Sequence, residues 1–274
     1  RGGFLVLWGL FKKVVIADNL APVVDQAFAD PGALDLWTAT FAVYCFAWQI
    51  YCDFSGYTDI ARGTAAMLGI DLRLNFNLPY FATNPSDFWK RWHISLSSWL
   101  RDYLYIPLGG NRLGTFNTYR NLMITMVLGG LWHGAGWPFV LWGVFHGALL
   151  CGHKALSTTS VGRLMGQLPG AVKMLLFFHL VCVSWLLFRA ESVGQLGEVL
   201  AALTRWPERF DVPAKPAALM LGLLIIQVIQ YRKDDLLWLY ERPWPVRAAA
   251  YTAMVAAMFT VGQWGGAQFI YFQF

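Results

Sequence analysis

The stretch NLMITMVLGGLWHGAGWPFVLWGVFHGALLCG, residues 121–152, decides the fold. It holds no Asp, Glu, Lys or Arg, and it exceeds the ~20 apolar residues that cross a bilayer. Gly134, Gly136 and Pro138 interrupt it near its middle, where such residues break a helix. Its first arm, Asn121 to Trp132, rises only about 18 Å at 1.5 Å per residue, against a hydrocarbon core of roughly 30 Å. Basic residues flank both ends, Arg112 and Arg120 before and Lys154 and Arg163 after. A re-entrant hairpin that enters and leaves by one face satisfies both facts. Its tip, Leu131 to Pro138, is expected inside the bilayer. Irregular backbone survives at that depth only within protein or beside a water-filled cavity, so the break predicts a cavity.

Other uncharged runs extend the pattern. Leu36 to Cys52 ends at Asp53, Met174 to Phe188 is a third, Lys215 and Arg232 bracket a fourth, and the last runs from Ala248 to the C-terminus. Gly3 to Ala17 is apolar but carries Lys12 and Lys13, which suits an interfacial helix or the end of a span that began upstream. The 274 residues are 57% hydrophobic and 14% charged, where soluble domains run nearer 45–50% and about 25%. That excludes a soluble enzyme, a disordered chain and a coiled coil. The expectation is an all-α polytopic membrane protein, a single transmembrane domain over residues 1–274. Because the first residue is Arg1 and no signal peptide follows, the chain reads as the C-terminal part of a longer one.

The net charge of +5 reads as membrane orientation and anionic headgroups, not nucleic acid. Asp18, Asp25, Asp30 and Asp35 share a stretch without Lys or Arg, which reads as external. Asp53 to Arg120 holds seven basic residues and reads as cytoplasmic. Arg189 to Lys215 reads as external and Arg232 to Arg247 as cytoplasmic, which leaves the tail outside. Cys45, Cys52, Cys151 and Cys182 lie in apolar stretches without a CxxC. They read as buried free thiols, with no disulfide or metal site implied.

Five histidines carry the remaining chemistry. His133 sits at the break. An ionisable group inside a membrane is a functional candidate, and imidazole suits general base work near neutrality. The other reading is a structural histidine bonded to a kinked backbone. His93 lies in FWKRWHISLSSWLRDY, residues 88–103, which as a helix is either an interfacial anchor or the cytoplasmic mouth of a site. In the second case Lys90, Arg91, Arg101 and Arg112 bind donor phosphates. His146 and His153 are seven apart and lack a partner at i+3 or i+4, so they make no metal site. His179 is alone in an apolar run and reads as structural.

Several segments together carry a resemblance. They are QIYCDFSGYTD (49–59), NFNLPY (75–80), FWKRWHISL (88–96), DYLYIPLGGNR (102–112), GGLWHGA (129–135) and the closing FIYFQF (269–274). In this order they resemble the membrane-bound O-acyltransferases, in the bacterial branch that includes alginate O-acetyltransferases and teichoic-acid D-alanyl transfer proteins. Cys52 departs from the Phe expected before the Asp, a matter of packing. The resemblance implies helices around a central tunnel and an inner-membrane, multi-pass enzyme. In it, His133 is the active-site residue, His93 the second essential one, and Tyr271 an acyl carrier. Asn75 and Trp132, inside the matching segments, join the donor-binding set. It also implies an acyl thioester donor such as acetyl-CoA, no bound cofactor, and an extracytoplasmic polysaccharide acceptor. The implied partner is a periplasmic SGNH-hydrolase-like acetyltransferase or another acyl acceptor. The alternative is a transporter or channel subunit that serves a separate periplasmic acetyltransferase.

Overall fold

The computed structural model describes residues 1–207, 212–265 and 269. Among them the chain is helical without strands. They divide into two compact units, residues 1–74 with 197–274, and residues 75–196.

In the first unit α1 (Gly2–Leu10) runs through a π-helical segment, Phe11–Ala17, directly into α2 (Asp18–Ala29). Packed against it is α3 (Leu36–Met67), a helix of 32 residues capped at Asp35, whose side chain accepts from the Thr38 N–H. α1 and α3 touch backbone to backbone. A Cβ on Gly9 would lie 2.5 Å from the Gly56 carbonyl, and one on Gly56 would lie 2.8 Å from the Gly9 carbonyl. Small residues permit this approach in membrane helices.

One expectation changes here: Asp53 does not end its helix. Lys12 and Lys13 lie in the π-helical segment. The π segment turns both lysines inward, where they are buried. Lys13 Nζ lies 2.6 Å from Asp53 Oδ1 and 2.9 Å from Asp18 Oδ1. Lys12 Nζ donates to Asp59 Oδ2 at 2.8 Å and Ser55 Oγ at 2.7 Å. Paired in this way, Asp53 lets α3 continue to Met67. Asp18, read as external loop charge, belongs to the same network.

The second unit holds the short helices α4 (Pro85–Trp89) and α5 (Ile94–Leu100), then α6 (Gly114–His133), α7 (Trp137–Leu156), α8 (Ser160–Gln167) and α9 (Gly170–Arg189). α6 and α7 form an antiparallel hairpin broken at residues 134–136. At the crossing, Gly130 meets the Phe139 carbonyl, and a Cβ on Gly143 would lie 2.5 Å from the Met126 carbonyl.

The first arm is longer than the uncharged run suggested. α6 has 20 residues, as does α7, so its length does not by itself fix the depth of the tip. Its polar start is satisfied locally. Asn121 is fully buried and donates to the Leu108 and Gly110 carbonyls at 3.0 and 3.1 Å, and Thr118 donates to the Gly114 carbonyl at 2.9 Å. The tip is also more open than expected: Leu131, Trp132 and Trp137 are exposed.

α10 (Val193–Ala202), α11 (Ala214–Lys233) and α12 (Trp244–Thr260) complete the chain. α12 stops at Thr260, before Gly265 with its φ of 83°. α7, α9 and α11 are each long and apolar enough to cross a membrane, which makes this a polytopic membrane protein.

The antiparallel hairpin puts the start of α6 and the end of α7 at the same end of the helix pair. With the native cysteines replaced, Phe116→Cys and Leu156→Cys should both be blocked by an impermeant thiol reagent only after cells are opened. Labelling of the two from opposite sides would refute the topology.

Candidate functional site

His93 was expected within one amphipathic helix. Instead the chain breaks there: α4 ends at Trp89, and His93 caps α5 with φ 43° and ψ 55°. A non-glycine residue held left-handed is uncommon and marks a position fixed by its surroundings. The fixing comes from Asn75. Its side-chain oxygen lies 3.3 Å from His93 Nδ1, accepts from the Ser95 N–H at 3.1 Å and from Ser95 Oγ at 2.9 Å. Its backbone carbonyl accepts from the Ile94 N–H at 2.9 Å. His93 is 8% exposed. Burial lowers its pKa to about 4, with the nearby His133 adding to the shift.

His133 is the last residue of α6 and half-buried. Its ring stands edge-on to Trp142 of α7 at 5.4 Å and to Phe188 of α9 at 5.1 Å. Three helices therefore fix one imidazole between apolar faces, where a neutral ring is favoured over a charged one. Trp142 continues inward to His146, at 4.7 Å between ring centres. Behind them lies an aromatic core of Phe88, Trp92, Trp185 and Phe188.

The structure thus brings His93, Asn75 and His133 into one unit. The cations are less gathered. Arg91 is engaged with Asp87 at 2.7 Å and the Asn77 carbonyl at 3.3 Å. Arg101 is paired with its neighbour Asp102 at 2.7 Å. Lys90 and Arg112 are exposed. Trp132 is 61% exposed and packs on Trp99, 6.0 Å away. Tyr271 lies outside the described residues. Phe269, near it in sequence, lies 4.8 Å from Lys13 Nζ and 5.3 Å from the Tyr57 ring within the first unit. Among the described residues no three His, Cys, Asp or Glu side chains gather to hold a metal.

Sequence reasoning passed over His146, Trp89 and Trp142. His146 is fully buried against Phe88, Trp89 and Trp142. Its i−4 relation to Trp142 on α7 was the available signal, and attention to metal spacing hid it.

The model of the membrane-bound O-acyltransferase family matches residues 2–161, a range that contains both histidines. The chain is 48% identical over 197 residues to "Probable alginate O-acetylase AlgI" of Azotobacter vinelandii, covering 71% of this chain and 38% of that protein. It is 41% identical over 245 residues to the Pseudomonas aeruginosa protein of the same name, covering 88% and 46%. It is 43% identical over 202 residues to "Peptidoglycan O-acetyltransferase" of Helicobacter pylori, covering 74% and 38%. The chain thus spans less than half the length of these relatives.

The low pKa of His93 has a sign that can be checked. The unfolded side chain binds a proton near pH 6.5, whereas the folded one resists it until about pH 4. Stability is therefore complete above pH 6.5 and falls as pH drops toward 4, by about 3 kcal/mol from this group. Melting of the purified protein should show a shallower fall over that window in His93→Gln than in the wild type. Parallel curves would refute the burial of a neutral His93.

Proposed function

The chain belongs to the membrane-bound O-acyltransferase family, and on that premise we propose that it moves an acetyl group from a cytoplasmic thioester to an extracytoplasmic polysaccharide. The observation that carries the reading is the clamped His133, an imidazole fixed by three helices in an aromatic environment. Such a base takes a proton from an attacking hydroxyl without first shedding a water shell. His93, oriented by Asn75 and Ser95, polarises or positions the thioester. A polysaccharide acceptor is supported by the relatives, whose names specify alginate and peptidoglycan.

In this reading acetyl-CoA is the donor and the enzyme resides in the inner membrane. Lys90, Arg101 and Arg112 meet the donor phosphates, and Trp132 borders the donor path. Arg91 belongs to the same basic segment but is held by Asp87, which makes it a support of the loop. A periplasmic acetyltransferase of the SGNH-hydrolase kind, or another acyl acceptor, takes the group onward.

His133→Ala should lower acetylation of the polymer by about 10²–10⁴, the usual worth of a general base. The assay is acetylated polymer in cells with equal amounts of full-length protein. Activity above half of wild type would refute the assignment.

Tyr271 is the proposed carrier between the two sides. A phenol is a weak nucleophile until a base takes its proton, and its ester is a good leaving group. Tyr271→Phe keeps the ring and removes the oxygen. It should abolish polymer acetylation, and a wild-type rate would reduce the tail to packing.

A further inference from the structure

Trp89, Trp142 and His146 form a triangle of rings, each adjacent to the other two. Ring centres lie 4.7 Å apart for Trp142 and His146, 5.0 Å for Trp89 and His146, and 5.7 Å for Trp89 and Trp142. Phe88 closes one face by stacking on His146 at 5.9 Å and 7°. His146 is 0% exposed. Within this packing the indole N–H of Trp89, the indole N–H of Trp142 and both nitrogens of His146 are buried without a hydrogen-bond partner.

A buried polar atom left without a partner is destabilising. Buried tryptophan nitrogens ordinarily find a partner. Phe at position 146 would keep a flat ring of similar size without that cost. Two features suggest what these nitrogens serve. An indole nitrogen only donates, and neutral imidazole offers one donor and one acceptor, so the cluster holds three donors against a single acceptor. It is also buried and aromatic. The matching ligand has a small apolar body and an acceptor oxygen. Trp142 is shared with the reacting base, because its other edge meets His133.

We propose that Trp142, His146 and Trp89 hold the carbonyl oxygen of the transferred acyl group and receive its negative charge during transfer. The inference rests on the acyl-transfer reading given above. The hydroxyl oxygen of the acceptor attacks the thioester carbonyl carbon, and the hydroxyl proton passes to His133. The carbonyl electron pair moves to oxygen, which the donor cluster stabilises. The pair then returns, the C–S bond breaks, and the thiolate takes the proton from His133 to leave as thiol. An ester and a thiol replace the thioester and the alcohol, and no other reactant is needed. Donors fixed where charge develops act most strongly in such a water-poor site.

The test uses His146→Phe and Trp142→Phe in the full-length protein in membranes, with His133→Ala beside them. Loss of one such donor typically lowers the rate by about 10²–10³. The proposal expects that loss in both Phe variants, with the melting temperature of His146→Phe equal to or above wild type. A purely structural His146 gives the same melting temperature and a rate within twofold of wild type, which overturns the proposal. If His133→Ala is inactive while both Phe variants are active, this inference fails and the acyl-transfer reading stands. If His133→Ala is fully active, both fail. Where a Phe variant is too unstable to assay, infrared difference spectra decide, using acetyl-CoA labelled with ¹³C at the carbonyl and bound to His133→Ala protein. A carbonyl stretch below that of free acetyl-CoA supports the donor cluster, and an unshifted stretch overturns it.

Discussion

The close contact of α6 with α7 is the constraint on which the site depends. At Gly130 and Gly143 the two helices meet with no side chain between their backbones. A Cβ at either position would push the arms apart. The contact lies one turn before His133 on α6 and next to Trp142 on α7, so it fixes the distance between base and indole. α9 completes the arrangement, because Phe188 packs on both His133 and Trp142. Side-chain chemistry here is set by backbone proximity, which lipid allows and which bulky residues would prevent.

In the first unit the organising force is electrostatic. Two lysines enter the interior on a π-helical segment and meet Asp18, Asp53 and Asp59. Buried ions are costly unless paired and hydrogen-bonded, and here each lysine has at least two oxygen partners. The π segment makes this possible, because it shifts the register so that consecutive lysines both face α3. The glycine contact at Gly9 and Gly56 brings the helices near enough for those short side-chain bonds.

Much of this was legible in the sequence. The uncharged runs gave the all-helical membrane fold, and the Gly-Pro break gave the hairpin and placed His133 at its tip. What the run lengths concealed was polar satisfaction. Asn121 and Thr118 look like the end of an apolar helix, yet each has a local carbonyl to bond, so α6 begins at Gly114. Asp53 looks like a terminator until Lys13 is brought to it from 40 residues away. The break at His93 was hidden because residues 88–103 have an amphipathic pattern, and nothing local announces that Asn75 will anchor the turn. His146 was visible only as a residue without metal spacing. Its meaning lies in three-dimensional neighbours that periodicity does not report.

The central claim is that the imidazole of His133 lies where the acyl donor is received. The most direct test is its reactivity toward diethyl pyrocarbonate in opened membrane vesicles, followed by mass spectrometry of the full-length protein. The exposed His153 serves as an internal reference. The account predicts that acetyl-CoA slows modification of His133 while leaving that reference unchanged. Equal rates at His133 with and without acetyl-CoA would contradict it.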